Sequence, residues 1–136
     1  MRKATQDLCK TLEASIQKAY DESPTVPEAE RLAALFLKAQ MVLAQELQVA
    51  DLNARMRKSG LKAIKAAVYM EAATKVEKKP SDTLLNYQVD LSDLVTGEQR
   101  AFDEAETESD LIQNFLNIAR EGHIYFRGIA KGNFGG

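Results

Sequence analysis

The feature that most constrains this chain is an apolar periodicity of three and four residues that runs from Pro27 to about Val76. Ala29, Leu32, Phe36, Ala39 and Leu43 keep the spacing of a coiled-coil seam. The seam then moves by one residue to Leu47, Ala50, Ala54, Leu61, Ile64 and Val68, as a straight helix does when its partner changes. About fifty residues at ~1.5 Å each predict a rod of roughly 75 Å. Ser59-Gly60 is its weak point, because glycine costs on the order of 1 kcal/mol in a helix interior; whether the helix kinks or breaks there is left open by the sequence. No stretch alternates in the manner of a strand.

Shorter patterns flank this rod. Residues 1–22 predict an N-terminal helix with Leu8, Leu12, Ile16 and Ala19 on one face. Ser23-Pro24-Thr25-Val26-Pro27 breaks it, and Thr25 then suits an N-cap, with Pro27, Glu28 and Glu30 favouring a helix start. The central helix is expected over 27–79, a linker over 80–91 holding a short helix begun by Ser81 or Asp82, and a return helix over 92–131. Val95, Phe102, Ala105, Ile112, Leu116, Ala119, His123, Phe126 and Ala130 give the return helix its heptad face. Gly132 to Gly136 reads as a fraying tail. The expected fold is a single all-α domain: a long antiparallel helical hairpin with a short N-terminal helix. Leu32, Phe36 and Leu43 lie before the stretch the return helix is expected to cover, so they predict an exposed stripe and a homo-oligomer.

Charge is polarised along the hairpin. From Arg55 to Lys79 there are eight basic residues against Glu71 and Glu77; from Asp90 to Asp110 there are eight acidic residues against Arg100 alone. A net charge of −2 and a pI near 5.5 argue against nucleic-acid binding by bulk charge, yet leave room for a local basic patch. Arg55, Lys58, Lys62 and Lys65 follow 3-4-3 spacing and share a helix face, with Arg57 close by in sequence. Cations one helical turn apart, ~5 Å, match a phosphate strand well enough to neutralise several phosphates and release their counterions. The competing expectation is a salt-bridge ladder onto Asp103, Glu106 and Asp110 of the return helix, which also share a face.

Chemistry for catalysis is sparse. One His, one Cys and no Trp leave no Glu-x-x-His pair and too few ligands for a zinc site. Neither GxxxxGK[ST] nor GxGxxG occurs. Cys9 has no sequence-adjacent base, and His123 reads as a packed or hydrogen-bonded histidine. The acidic cluster reads as a solvated or salt-bridged face before it reads as a cation site. No enzyme, metal or cofactor is expected. A lone Cys suits a reducing compartment, no apolar run reaches the roughly 18 residues of a membrane span, and Met1-Arg2-Lys3 begins no signal peptide. The expectation is a cytoplasmic protein with no membrane partner. In the closing stretch from Ile118 to Lys131, Tyr125 and Phe126 beside Arg127 could stack on bases; ordinary seam packing is the preferred reading for Phe126.

Three stretches resemble the phage recombination-mediator (UvsY-like) helical-hairpin family. Leu52-Asn53-Ala54-Arg55-Met56-Arg57 is similar to its basic helix motif, Lys79-Pro80-Ser81-Asp82 through Val89-Asp90 to the linker of related phage proteins, and Ile118-Ala119-Arg120 through Ile129 to its closing helix. The resemblance spans Leu52 to Lys131 and leaves the N-terminal helix and Ser59-Gly60 unaccounted for. It implies a non-enzymatic accessory protein of phage DNA recombination or replication in the cytoplasm of an infected host cell. Such a protein binds single-stranded DNA and helps load a recombinase, with a recombinase or single-strand-binding protein as partner. It also implies that Arg55 and Arg57 are the DNA-contacting pair, with Lys58 and Lys62 supporting by position. Long amphipathic helices fit a phage virion structural or assembly protein, a head-tail adaptor or scaffold component, as the alternative. A third reading is a small inhibitor or adaptor that binds a host protein through its acidic helix.

Overall fold

A computed structural model describes residues 1–75 and 81–132. It contains four helices, α1 (Lys3–Asp21), α2 (Val26–Thr74), α3 (Asp82–Leu91) and α4 (Asp93–Ala130), and among the described residues no strand. The long helices α2 and α4 pack against each other as an all-α hairpin. The helix starts follow capping chemistry. Thr25 Oγ1 accepts from the Glu28 amide at 3.4 Å, and Ser81 Oγ accepts from the Leu84 amide at 3.3 Å. Ser92 both ends α3 and precedes α4, its carbonyl accepting from the Thr96 amide. At the far end Gly132, with φ of 74°, closes α4 by donating to the Ile129 carbonyl, a left-handed turn that glycine adopts without steric cost. The central helix continues through Ser59-Gly60 without a break. Its expected last residues, including Lys78 and Lys79, and the expected tail beyond Gly132 lie outside the described residues.

The chain forms two compact units. The first joins Met1–Val49 to the chain from Asp110 onward. Here α1, the first half of α2 and the second half of α4 bury Leu12, Ala29, Phe36, Leu43, Ile112, Leu116, Ala119 and Phe126. The Phe36 and Phe126 rings meet at 5.2 Å and 57°, a tilted geometry that suits two ring quadrupoles. Gly122 makes this approach possible: a Cβ there would sit 2.2 Å from the Phe36 ring. His123 Nδ1 lies 3.0 Å from the Ala33 carbonyl; since a carbonyl only accepts, that nitrogen carries the proton.

Two sequence expectations change in this unit. Leu32, Phe36 and Leu43 are not an exposed stripe: they are 7%, 0% and 0% exposed, because α4 runs far enough to cover them and α1 adds a third wall. The packed face of α1 is Thr5, Cys9 and Leu12, while Ile16 is 39% exposed, so the face turns away from Ile16. Burial pushes the Cys9 thiol up, and it stays protonated and apolar in character.

The second unit is Ala50–Ser109. Leu61 of α2, Val89 of α3 and Val95 of α4 are its buried core, with Ile64, Val68, Tyr69 and Phe102 packed around them. Tyr69 donates to Asp82 Oδ1 at 2.6 Å, joining α2 to the start of α3. Ser109 donates to Asp51, so a polar pair stands where α2 and α4 meet.

Candidate nucleic-acid interface

The sequence-predicted cations all fall on the α2 segment of the second unit. A residue on an α-helix turns about 100° from the one before it, so Arg55, Lys58, Lys62 and Lys65 fall within an arc of about 80°. Arg55, Lys58 and Lys62 are exposed, whereas Lys65 is half-buried. From Arg55 to Lys65 the row rises about 15 Å. α2 is continuous here, so the spacing is held by backbone hydrogen bonds and not by a loop.

Arg57 does not belong to this row. Two residues along a helix turn it about 200° from Arg55, so the two arginines cannot reach one strand from one face. Its position instead completes the packing seam: Ala50, Ala54, Arg57, Leu61, Ile64 and Val68 step by four and three. Arg57 is exposed even so. The residues that share a face with Arg55 are Lys58 and Lys62, and Arg57, which the family resemblance pairs with Arg55, lies on another face.

The salt-bridge ladder is also missing. Among the described residues, no carboxylate lies within ion-pair distance of Arg55, Arg57, Lys58, Lys62 or Lys65. Asp103, Glu106 and Asp110 are exposed. The reason is geometric. α2 and α4 pack through their apolar seams, which leaves both charged rows outside the contact. Nor do three His, Cys, Asp or Glu side chains converge anywhere among the described residues.

The closing stretch divides the aromatics. Phe126 is 1% exposed and packs on Phe36, so it is core and unavailable to a base. Tyr125 is 47% exposed and meets the Phe126 ring edge-on at 5.2 Å. Ile16, Tyr20, Ile118, Glu121, Tyr125 and Phe126 line an open apolar cleft of about 410 Å³ in the first unit. Sequence reasoning passed over it because it joins α1 to α4, two helices far apart in the chain.

Sequence reasoning also missed the polar members of the core. Glu46 is 8% exposed, accepts from Thr5 Oγ1 at 2.9 Å and is ion-paired to Arg2. The Arg2 guanidinium holds its carboxyl below the usual carboxylate range, against the opposing effect of burial. The 3-4 step after Leu43 lands on Glu46, with Leu47 only half-buried; an apolar search slides past it. The one signal available was the unbroken count 39, 43, 46, 50. No family model, no curated protein and no solved structure matches this chain.

Proposed function

We propose that this is a non-enzymatic accessory protein of phage DNA recombination or replication that binds single-stranded DNA through the Arg55–Lys58–Lys62 row and helps load a recombinase. The observation that supports this reading is the row itself: three exposed cations at one-turn spacing, held on a continuous helix, with no carboxylate of the described residues paired to them. Cations already neutralised within the fold would release few counterions from DNA; unpaired ones release them in full. Lys65 contributes less, being half-buried. One chain offers few phosphate contacts, so useful affinity requires several copies on one strand, either as a homo-oligomer or side by side.

The test is direct. The full chain should bind a fluorescent oligo-dT at low salt, and its logarithmic affinity should fall linearly with logarithmic salt concentration. An affinity indifferent to salt, or none at all, overturns the proposal. The alternative, a virion structural or assembly protein, draws on a different observation: Leu84, Tyr87 and Leu91 of α3 are 47%, 62% and 64% exposed and lie on one helix face, as a docking element would be. Cosedimentation with assembled particles, without oligonucleotide binding, supports that reading.

A further inference from the structure

Within the second unit α2 carries a heptad seam on each of two faces. One, through Ala50, Ala54, Leu61, Ile64 and Val68, contributes to the packing described above. The other runs Leu52, Met56, Ser59, Ala63, Ala66 and Met70, stepping by four, three, four, three and four. Every one of these six is exposed; Leu52, Met56 and Met70 are 59%, 64% and 60% accessible. Scattered surface leucines and methionines need no explanation, but six positions at coiled-coil spacing over nineteen residues, about 27 Å of helix, describe one continuous strip.

The spacing specifies what fits. In heptad terms Met56, Ala63 and Met70 are a positions, and Leu52, Ser59 and Ala66 are d positions. Arg55 and Lys62 then fall at g, and Asn53, Gly60 and Ala67 at e. Charges at e and g choose the partner of a coiled coil and its orientation. The strip therefore has one basic rim, at Arg55 and Lys62, and one rim whose own side chains are uncharged but which the Glu98 carboxylate of α4 approaches at Gly60. Small residues at its centre let a second helix backbone approach closely, and they offer little bulk to a lipid surface or to a base. A second copy is poorly matched. Antiparallel self-pairing over the whole strip sets Lys62 against Lys62 of the other copy, like against like, and parallel self-pairing sets both cations against Gly60 and Ala67, with nothing to neutralise them.

We infer that the outward seam of α2, Leu52 to Met70, docks an amphipathic helix of a partner protein that carries apolar a and d positions and acidic residues on the rim that faces Arg55 and Lys62. The helix lies along the strip, its acids meeting Arg55 and Lys62. This goes beyond the nucleic-acid reading, although the two share those cations.

The probe is a synthetic three-heptad helix with Leu and Ala at a and d and Glu at e and g; its control carries Lys at e and g. Both are titrated onto the full-length protein by fluorescence anisotropy in the absence of DNA, so failure here is separate from failure of the oligonucleotide test. The Glu peptide should bind, and the Lys peptide roughly tenfold or more weakly. A Met56→Gln, Met70→Gln double variant keeps the charges on an exposed face and should weaken the Glu peptide by about tenfold while leaving the circular dichroism spectrum unchanged. An Arg55→Gln, Lys62→Gln variant should erase the preference for Glu over Lys. Equal binding of the two peptides, no binding of the Glu peptide, or indifference to the methionine substitutions overturns the inference. So does finding that the seam serves another occupant: a dimer in sedimentation, or adhesion to phosphatidylserine–phosphatidylcholine vesicles, that the methionine variant abolishes.

Discussion

Gly122 and Glu46 show how single residues set the packing of the first unit. A Cβ at Gly122 would meet the Phe36 ring at 2.2 Å, and that ring is wedged against Phe126. Gly122→Ala should therefore destabilise the fold by about 1–3 kcal/mol, despite the better helix propensity of alanine. Denaturant midpoints measure this, and Phe36→Leu in the same chain should recover part of the loss. Glu46 makes a pH forecast. Its carboxyl is held below the usual value near 4.5, first by the Arg2 hydrogen bond. A depressed folded-state value stabilises the fold above the unfolded value, and that contribution is lost as pH falls through the folded one. Thermal midpoints should thus drop below about pH 4.5, and Glu46→Gln should flatten that part of the profile. Neither residue was legible beforehand. A glycine in a helix pattern reads as a weak point, and a glutamate reads as solvent-facing, until the neighbour across the contact is known.

At the scale of elements the sequence was most informative where chemistry is local. Thr25 and Ser81 were readable as caps because a side-chain oxygen one residue before a helix satisfies amides that have no other partner. The long α2 and α4 were readable because their apolar spacing persists over many turns. Ser59-Gly60, which the sequence left open, is continuous helix, since the propensity cost of glycine is small beside the packing of the helix around it. Gly60 faces ordinary space: a Cβ there would lie 3.8 Å from Glu98 Oε2, a normal contact. Gly60→Ala should consequently stabilise the protein by about 0.5–1 kcal/mol, read as a higher denaturant midpoint. A loss of stability would show that α2 needs glycine there for a reason other than space. Arg55 and Arg57, adjacent in the sequence pattern, lie on different faces because residues two apart on a helix are spatial strangers.

For the molecule as a whole, the hairpin was legible and its division was not. Apolar periodicity tells which faces are buried but not by what. Leu32, Phe36 and Leu43 therefore looked like a surface waiting for a second copy, when α1 and α4 supply the cover within the chain. Each unit solves the same problem in the same way, adding one short helix to two segments of the hairpin: α1 in the first unit, α3 in the second. The charge polarity was read correctly along the chain, but its consequence was left between a ladder and a free row. Only the seam geometry distinguishes them, because both charged rows point away from the packed faces.

The central claim is that the free row on α2 meets phosphates, and the salt dependence of DNA binding tests it most directly. Oligo-dT affinity is measured across a salt series for the parent, for Arg55→Ala with Lys62→Ala, and for Arg57→Ala. Each phosphate contact on a single strand contributes about 0.7 to the slope. The double variant should lose about 1.4 in slope per bound chain and bind more weakly throughout, with its thermal midpoint unchanged because neither cation is paired in the fold. Arg57→Ala, on the other side of the helix, should keep the parent slope. A parent slope in the double variant, or a loss confined to Arg57→Ala, would contradict the account.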